Sequence, residues 1–185
     1  MTFPTLETAK LRIVAFNEQH LSQTYVEWLN DPEVVRYSEQ RHHHHTLEIC
    51  RAYFATFENT PHLFLAIEGN KGDLGHIGNM TVTIDPFNGL ADLAILIGER
   101  QAWGKGLGLE AWSAVLSVLL AKPWVRKITA GAVESNRAMV SIMRKSGMIE
   151  DGMRRSHLLV NGVPDDVLYY AAWPPETDTV TGKQK

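Results

Sequence analysis

The chain has 185 residues, of which 44% are hydrophobic and 21% are charged, and its formal net charge is −3. These values are ordinary for a globular protein, and the length suits a single domain with one core. No apolar run approaches the roughly 20 residues that span a bilayer, and Met1-Thr2-Phe3-Pro4 lacks the basic and apolar regions of a signal peptide. We therefore expect a cytoplasmic protein that has no membrane partner.

Two helices are predicted between the first strand and the rest of the sheet. Residues 10–16 form a candidate strand, and Asn17 is the predicted N-cap of a first helix that ends at Asn30-Asp31-Pro32. A second helix is predicted from its cap, Thr46, to about residue 57. The only cysteine, Cys50, lies in the apolar stripe of this second helix. We interpret it as a small buried hydrophobic residue rather than a nucleophile.

Further strands and helices complete the predicted order. Apolar alternation predicts strands at residues 63–67, 77–84 and 90–97, the first two joined by a turn at residues 69–73. A long amphipathic helix follows and ends before Pro123. Then come a strand at residues 127–133, a helix at residues 137–145, and a hairpin of residues 157–160 and 167–173 around Asn161-Gly162. The polar tail, residues 174–185, is predicted to be flexible and is assigned no function.

A glycine-rich loop separates the third of these strands from the long helix. Residues 101–108 read Gln-Ala-Trp-Gly-Lys-Gly-Leu-Gly, so Gly104, Gly106 and Gly108 alternate with other residues. Backbone N–H groups without side-chain cover at a helix N-terminus bind phosphate groups, and Lys105 adds a positive charge. The loop therefore predicts an anion-binding site.

The charge distribution around this loop indicates the kind of anion. Residues 99–145 carry eight Lys and Arg against three Glu, so the rest of a chain of net charge −3 carries −8. This asymmetry favours a polyanionic small molecule over a nucleic acid. The P-loop pattern fails because Gly106, not Ser or Thr, follows Lys105, and the dinucleotide pattern fails because Leu109 replaces its third glycine.

The loop resembles a known signature. Gln101, Gly104 and Gly106 match the acetyl-CoA pattern [QR]-x-x-G-x-[GA] of the GNAT superfamily of N-acetyltransferases, between a strand and a helix. Downstream, Asn136 follows a strand and a helix ends in Gly147, which is similar to the second signature of the family. The N-terminal segment 6–13 is similar to the opening strand of the branch with ribosomal-protein, amino-sugar and antibiotic acetyltransferases. The likeness spans roughly residues 5 to 173.

This resemblance implies a fold and an activity. The expected fold is a single α/β (α+β) domain over residues 1–173, with a twisted, mostly antiparallel mixed sheet, splayed fourth and fifth strands, and helices on both faces. The expected activity is acetyl-CoA-dependent transfer to a primary amine of a small molecule or of a peptide N-terminus, directly within a ternary complex. A homodimer is possible, and the sequence does not decide the oligomeric state. The alternative is a catalytically silent CoA-binding sensor or binding module.

The resemblance also implies which residues hold the cosubstrate. The pantetheine arm is expected on the exposed backbone of the fourth strand, and the pyrophosphate on the amides of the glycine loop. Asn136 fits the family position that binds the pantetheine, although Asn at a helix start is also a plain N-cap. The expected acetyl-CoA-binding residues are Ile95, Leu96, Ile97, Gln101, Trp103, Gly104, Lys105, Gly106, Leu107, Gly108, Asn136 and Met143.

The catalytic groups are less defined by the sequence. An amine with a pKa near 10.4 is neutral in only about one molecule in 10³ at pH 7, so its proton must be removed before attack. Many relatives place a Tyr seven residues after the Asn as the acid for the thiolate, whereas this chain has Met143, which cannot donate a proton. Asp92 and Glu134 are candidate bases, or else solvated strand ends. Direct transfer without an essential base stays open.

The acceptor site is expected at the loop between the first two helices. In the family this loop helps to wall the acceptor, and here it contains Tyr37, Ser38, Glu39 and Arg41, followed by the run of residues 42–45, four consecutive His. Consecutive histidines rarely converge on one ion, so no metal site is predicted. Carboxylates suit a cationic amine, whereas His and Arg suit a sugar nucleotide or an acidic peptide. The sequence does not choose between these acceptors.

Overall fold

The structure is a computed structural model and describes residues 3–69 and 74–175. The strands of the described residues form a single eight-stranded sheet in the order β1-β2-β3-β4-β5-β6-β8-β7. The strands are β1 Leu6–Glu7, β2 Leu11–Ala15, β3 Leu63–Gly69, β4 His76–Asp85, β5 Leu90–Ile97, β6 Lys127–Val133, β7 Ile149–Val160 and β8 Val163–Ala172. The α-helices are α1 Gln23–Asn30, α2 Leu47–Ala55, α3 Leu107–Leu120 and α4 Arg137–Lys145. The predicted turn at residues 69–73 and the predicted tail fall largely outside the described residues.

The helices cover both faces of the sheet, as the resemblance implied. Alternation along β5 shows this, because Leu93 lies in the main core with α3 and α4, whereas Leu96 packs against the second core with α1 and α2. Trp112 in the middle of α3 is completely buried, and Trp28 of α1 is nearly so. In the described ranges, no helix is long and apolar enough to cross a membrane.

The β5–β6 pair positions the candidate site. It is the parallel pair of an otherwise antiparallel sheet over the described residues, and its register covers Leu90↔Lys127, Ala91↔Ile128 and Asp92↔Thr129. Beyond Asp92 the two strands diverge while β6 stays paired with β8 up to Val133. We call this divergence the fork, and Asp92 with Thr129 its apex. The splayed fourth and fifth strands of the predicted fold are thus confirmed, and they correspond to β5 and β6. The numbers differ by one because the short strand β1 precedes the first strand that the sequence predicted.

The first helix begins later than predicted. Asn17 caps a short 3₁₀ helix, Glu18–His20, in a capping box whose His20 side chain accepts from the Asn17 backbone N–H. The backbone at Leu21 is not helical, and α1 begins at Gln23 with Ser22 as its N-cap. The predicted cap at Asn17 was therefore wrong for α1, because the apolar spacing runs through two separate helices.

The C-terminal hairpin is longer than predicted. Its turn is confirmed, since Asn161 and Gly162 have φ of 51° and 78°. However, β7 begins at Ile149 rather than at residue 157, with register shifts near Gly152 and Ser156. Nearly all of β7 is exposed on the outer edge of the sheet, so no apolar alternation marks it in the sequence. The homodimer stays a prediction.

Candidate active site

The N-terminus of α3 offers uncapped amides. Its N-cap is Gly106, with φ of 78°. Because glycine has no side chain, no side-chain cap accepts a hydrogen bond from the first turn of α3. Among the described α-helices the other three are each capped by a side chain, from Ser22, Thr46 and Asn136. The first-turn N–H groups of α3, from Leu107 onward, are therefore left for another acceptor. An anion such as a diphosphate meets that requirement.

The glycines of the loop have two different roles. Gly104 and Gly106 have φ of 71° and 78°, and a Cβ at either would meet no atom within 4 Å. Their surroundings are open, so a ligand can approach the backbone closely. Gly108 is half-buried and packs against α4, because a Cβ there would lie 3.2 Å from Ile142 Cδ1. Gly104 and Gly106 are thus the loop glycines whose Cα atoms have open surroundings.

The loop is anchored to β5 and α1. The indole Nε1 of Trp103 donates to the carbonyl of Ile97 over 2.8 Å. Arg100 donates to Asp31 Oδ1 over 2.5 Å, and this hydrogen bond lowers the pKa of Asp31. The Leu107 side chain is buried in the main core. These contacts hold the loop in place before any ligand arrives.

The remaining loop residues predicted to bind acetyl-CoA are accessible. Gln101, Trp103 and Lys105 are exposed, and Gln101 lies in a 3₁₀ helix whose cap is Glu99. Among the described residues, three of the eight cations in residues 99–145 form ion pairs: Arg100 with Asp31, Lys127 with Asp151 and Arg137 with Glu134. Lys105 has no ion-pair partner within the part of the chain that is described. It therefore remains available to a diphosphate.

The open edge of β5 differs by one residue from the sequence prediction. Gly98 N donates to Ile77 O, so the residues of β5 at even positions, among them Leu96, turn their backbone groups toward β4. The backbone groups of Leu93 and Ile95 consequently point into the fork. Ile97 also points that way, but its carbonyl already accepts from Trp103. Alternation with period two groups Leu93 with Ile95 and Ile97, but which group faces the fork is set by the hydrogen bond between Gly98 and Ile77.

Asn136 and Met143 lie in different environments. Asn136 Oδ1 accepts from Met139 N over 3.2 Å as the cap of α4, which leaves its amide N–H groups to donate. Met143 is completely buried in the main core and presents no surface to the fork. We therefore leave Met143 out of the proposed cosubstrate site.

The two candidate bases lie at opposite ends of the fork. Asp92 is at the apex, where Thr129 Oγ1 donates to its Oδ2 over 2.6 Å. Desolvation by its surroundings raises the pKa of Asp92, and the Thr129 hydrogen bond opposes that rise. Glu134 follows β6 at the wide end of the fork and accepts from Arg137 over 3.3 Å. Asp92 is thus the candidate base nearest the point of divergence.

An inner cavity of about 510 Å³ lies on the α1 and α2 face of the sheet. Its floor is formed by Asn79 and Thr81 of β4 and by Ala94 and Leu96 of β5, and Ser38 lies at its wall. Asp92 precedes Ala94 by two residues and so lies on the same face of β5. The cavity thereby adjoins the narrow end of the fork. Asn79 and Thr81 were not predicted from the sequence, although period-two alternation places them on one face of β4.

An outer cavity of about 800 Å³ continues from the inner one. The two share Leu29, His43 and His44 in their walls. Arg41 lines the outer cavity and is held by the Ser38 and Leu159 carbonyls over 2.8 and 2.9 Å.

The other predicted acceptor residues lie around these two cavities. Glu39 forms an ion pair with Arg41 over 2.9 Å. Tyr37 lies beneath the guanidinium of Arg36 and, like Glu39, lines neither cavity. Of the four predicted acceptor residues, the structure therefore places Ser38 in the inner cavity and Arg41 in the outer one.

The histidine run does not converge on one point. His45 is buried, its backbone N–H donates to Asn30 Oδ1, and its ring lies 3.2 Å from the Gln40 carbonyl. His43 and His44 are exposed in the cavity walls. Over the residues that are described, no group of three or more His, Cys, Asp or Glu could hold a metal ion.

Solved structures share this fold. The GNAT-family acetyltransferase from Bacillus anthracis superposes with a TM-score of 0.78 at 18% identity, covering 94% of this chain and 100% of that one. Spermidine N-acetyltransferase from Vibrio cholerae, in complex with CoA and spermine, gives 0.78 at 17% identity over 90% and 97%. A ribosomal L7/L12 alpha-N-protein acetyltransferase in complex with coenzyme A gives 0.79 at 14% identity over 92% and 98%. At these identities the likeness establishes the fold.

The family follows from the sequence match. The model of the acetyltransferase (GNAT) domain matches residues 10–149, which is most of the chain. The protein therefore belongs to the GNAT acetyltransferase family. It is an acyltransferase whose cosubstrate is acetyl-CoA, which agrees with the sequence prediction.

Proposed function

We propose that the protein is an N-acetyltransferase that moves the acetyl group of acetyl-CoA directly to a primary amine inside a ternary complex. The observation that carries this proposal is the fork. Its open β5 edge connects the uncapped N-terminus of α3 with the inner cavity. One continuous path thus joins an anion site to a chamber for a second substrate.

The residues present fit acetyl-CoA. The N–H groups from Leu107 onward and the Lys105 ammonium suit a diphosphate, at about 0.3–1 kcal/mol for each surface contact with the helix end and up to ~2 when partly buried. The unpaired backbone groups of Leu93 and Ile95 suit an amide-bearing arm laid beside β5. From Ile97 back to Asp92 the strand spans about 17 Å, at ~3.4 Å per residue. An extended arm bound along it would reach the apex of the fork.

The chemistry requires positioning and one proton transfer. Bound acetyl-CoA supplies an activated acyl carbon. The neutral amine nitrogen forms a bond to that carbon, the C–S bond breaks with its electron pair going to sulfur, and the proton that leaves the nitrogen neutralises the departing CoA thiolate. Asp92 is suited to accept that proton through a hydrogen bond or a bridging water, since its raised pKa makes it a better base than an ordinary carboxylate. Glu134, ion-paired with Arg137, is the second candidate.

Orienting the amine against the acyl carbon contributes more to the rate of transfer than a general base does. General-base catalysis supplies about 10²–10⁴ in rate, whereas holding the amine against the acyl carbon supplies up to about 7–11 kcal/mol. The anchored loop and the preformed inner cavity provide such positioning. Transfer without an essential base is therefore consistent with this site.

A silent CoA-binding module is the second candidate function, and Met143 favours it. That position, which carries a proton-donating Tyr in many relatives, is occupied here by a buried thioether. Release of free thiol from acetyl-CoA, measured with a panel of amines and peptides, separates the two functions. An enzyme gives acceptor-dependent thiol release, whereas a module shows a CoA-dependent rise in melting temperature and no thiol.

A further inference from the structure

Tyr25 of α1 has a buried hydroxyl group that the fold leaves without a partner. Its side chain is 3% exposed and lines the inner cavity. Within the described residues this hydroxyl makes no hydrogen bond. By contrast, the hydroxyl of Tyr170, which is 2% exposed, accepts from Arg144 Nε over 2.7 Å. A buried tyrosine hydroxyl normally has a partner, so Tyr25 holds an unused hydrogen-bonding group.

The Tyr25 hydroxyl is open to the inner cavity. In the described part of the chain, the buried side-chain atoms that lack a partner and are closed off from solvent are Asn79 Nδ2, Trp112 Nε1 and Trp124 Nε1. The Tyr25 oxygen is not one of them, so it keeps accessible surface although the ring around it is enclosed. Because Tyr25 lines the inner cavity, a molecule in that cavity can reach this oxygen.

The hydroxyl keeps its hydrogen at neutral pH. Desolvation by burial is the main cause that raises the pKa of Tyr25, with smaller contributions from Cys50 and Tyr53. Burial also raises the pKa of Cys50 and that of Tyr53, and both residues line the same cavity. All three groups therefore stay neutral, and the Tyr25 hydroxyl remains able to donate.

The rest of the wall determines which group can meet this hydroxyl. Among the described residues the inner cavity is lined by no Asp, Glu, Lys or Arg, and His43 and His44 lie where the outer cavity begins. Much of the remaining wall is apolar and consists of Leu29, Ile49, Phe64 and Leu96. A carboxylate or a second ammonium group placed there would lose its hydration without gaining an ion pair. An uncharged oxygen on an apolar body fits instead.

The fold also sets how far that oxygen lies from the reacting amine. The cavity floor includes Ala94 of β5, two residues beyond Asp92 at the apex of the fork. The Tyr25 ring lies against Phe64 of β3, with a centroid distance of 6.5 Å. Since β4 separates β3 from β5, the two ends of the cavity are about 10 Å apart, at ~4.8 Å for each strand spacing. One molecule can therefore extend from the fork to Tyr25.

We propose that Tyr25 is a specificity-determining residue of the acceptor site, whose hydroxyl donates a hydrogen bond to an uncharged oxygen at the far end of the acceptor. This inference rests on the proposed function, because it assigns a residue of the same site. An acceptor that places a hydroxyl or carbonyl oxygen at Tyr25 supplies the missing partner. An acceptor with a methyl group there displaces water and leaves the hydroxyl unpaired, which weakens binding.

Two matched variants separate this role from a structural one. Tyr25→Phe and Tyr170→Phe each remove one buried hydroxyl and keep the ring, and Tyr170 lies in the main core rather than in the cavity. Loss of the Tyr170 hydroxyl breaks its hydrogen bond with Arg144, so we expect the melting temperature to fall by about 2–4 °C. Tyr25→Phe should leave the melting temperature unchanged or raise it. An equal fall in both variants would overturn the proposal, because it would reveal a structural partner for Tyr25.

The substrates are ω-amino alcohols with chains of three to eight carbons. Each is compared with the alkylamine in which a methyl group replaces the hydroxyl, and thiol release gives kcat and KM. In the unmodified protein we expect one chain length, or two neighbouring ones, at which kcat/KM of the alcohol is about tenfold higher, the value of one buried hydrogen bond. Tyr25→Phe should lose this preference through a higher KM for the alcohol, and Tyr170→Phe should keep it. No preferred length, or the same preference in Tyr25→Phe, would overturn the proposal.

Binding distinguishes failure of this inference from failure of the proposed function. If the protein binds CoA and acetylates none of these amines, the proposed function fails, and calorimetry of the same pairs with the CoA-loaded protein tests Tyr25. Tighter binding of one alcohol than of its matched alkylamine, lost in Tyr25→Phe, supports the inference. Equal binding within every pair refutes it.

Discussion

The hydroxyl of Thr129 donates to Oδ2 of Asp92 over 2.6 Å, across the last residue pair of the parallel β5–β6 ladder. The hydrogen bond holds the carboxylate at the point where the strands part. Desolvation raises the pKa of Asp92 against the effect of Thr129, so the group stays a usable base. The same two residues thus end the ladder and orient the candidate base.

The variant Asp92→Asn tests this base. It keeps the shape of the side chain and removes its basicity, so we expect kcat to fall by about 10²–10⁴ with little change in CoA affinity. In the unmodified protein the rate should fall on the acid side as Asp92 becomes protonated, at a pH above that of an ordinary Asp. That acid limb should be absent from the variant. An identical rate-versus-pH profile in both proteins would remove Asp92 from the mechanism.

The variant Gly106→Val tests the anion site. A side chain at Gly106 projects into open space rather than into the protein, but it forces a left-handed backbone at a cost of roughly 1–2 kcal/mol. It also stands where a diphosphate must approach the amides of α3. We expect CoA binding, measured by calorimetry, to be lost while the fold persists.

Gly147→Val is the matched control for that change. Gly147 has φ of 85° and open surroundings, yet it lies beyond the C-terminus of α4. This variant should lose similar stability and keep its CoA affinity. Equal loss of CoA binding in both variants would attribute the effect to strain rather than to the site.

His76, the first residue of β4, has a pKa lowered chiefly by burial, so its protonation should be visible in the stability of the protein. The folded-state pKa of about 4 lies below the unfolded value of ~6.5, so the contribution is complete above pH 6.5 and is lost as the pH falls toward 4. Between pH 7 and pH 5 the loss amounts to about 2 kcal/mol. Urea unfolding at the two pH values should show this loss, and His76→Gln should abolish it. Equal losses in both proteins would show that other groups are responsible.

Much of the fold could be predicted because its signals are local. The glycines at 104 and 106, the amphipathic α3 and the Asn161-Gly162 turn each act within a few residues of chain. The fork was implied by the family resemblance rather than by any pattern in β5 or β6. The start of α1 was missed, because Ser22 and Asn17 are equally good caps and the choice depends on His20.

The details of the site depend on contacts between distant residues. The Ile97 carbonyl is occupied because the Trp103 ring folds back on it, and Met143 is buried because α4 packs on α3. The Asn79 side chain in the cavity floor is held by the contact of its Oδ1 with His76 Nε2. None of these follows from spacing in the sequence, since each depends on how the helices settle on the sheet.

A crystal structure with bound coenzyme A tests the central claim most directly. We expect the diphosphate on the first amides of α3, beside Lys105, and the pantetheine arm in the fork with hydrogen bonds to the backbone of Leu93 and Ile95. Coenzyme A bound elsewhere, or β5 and β6 paired along their full length, would contradict the account.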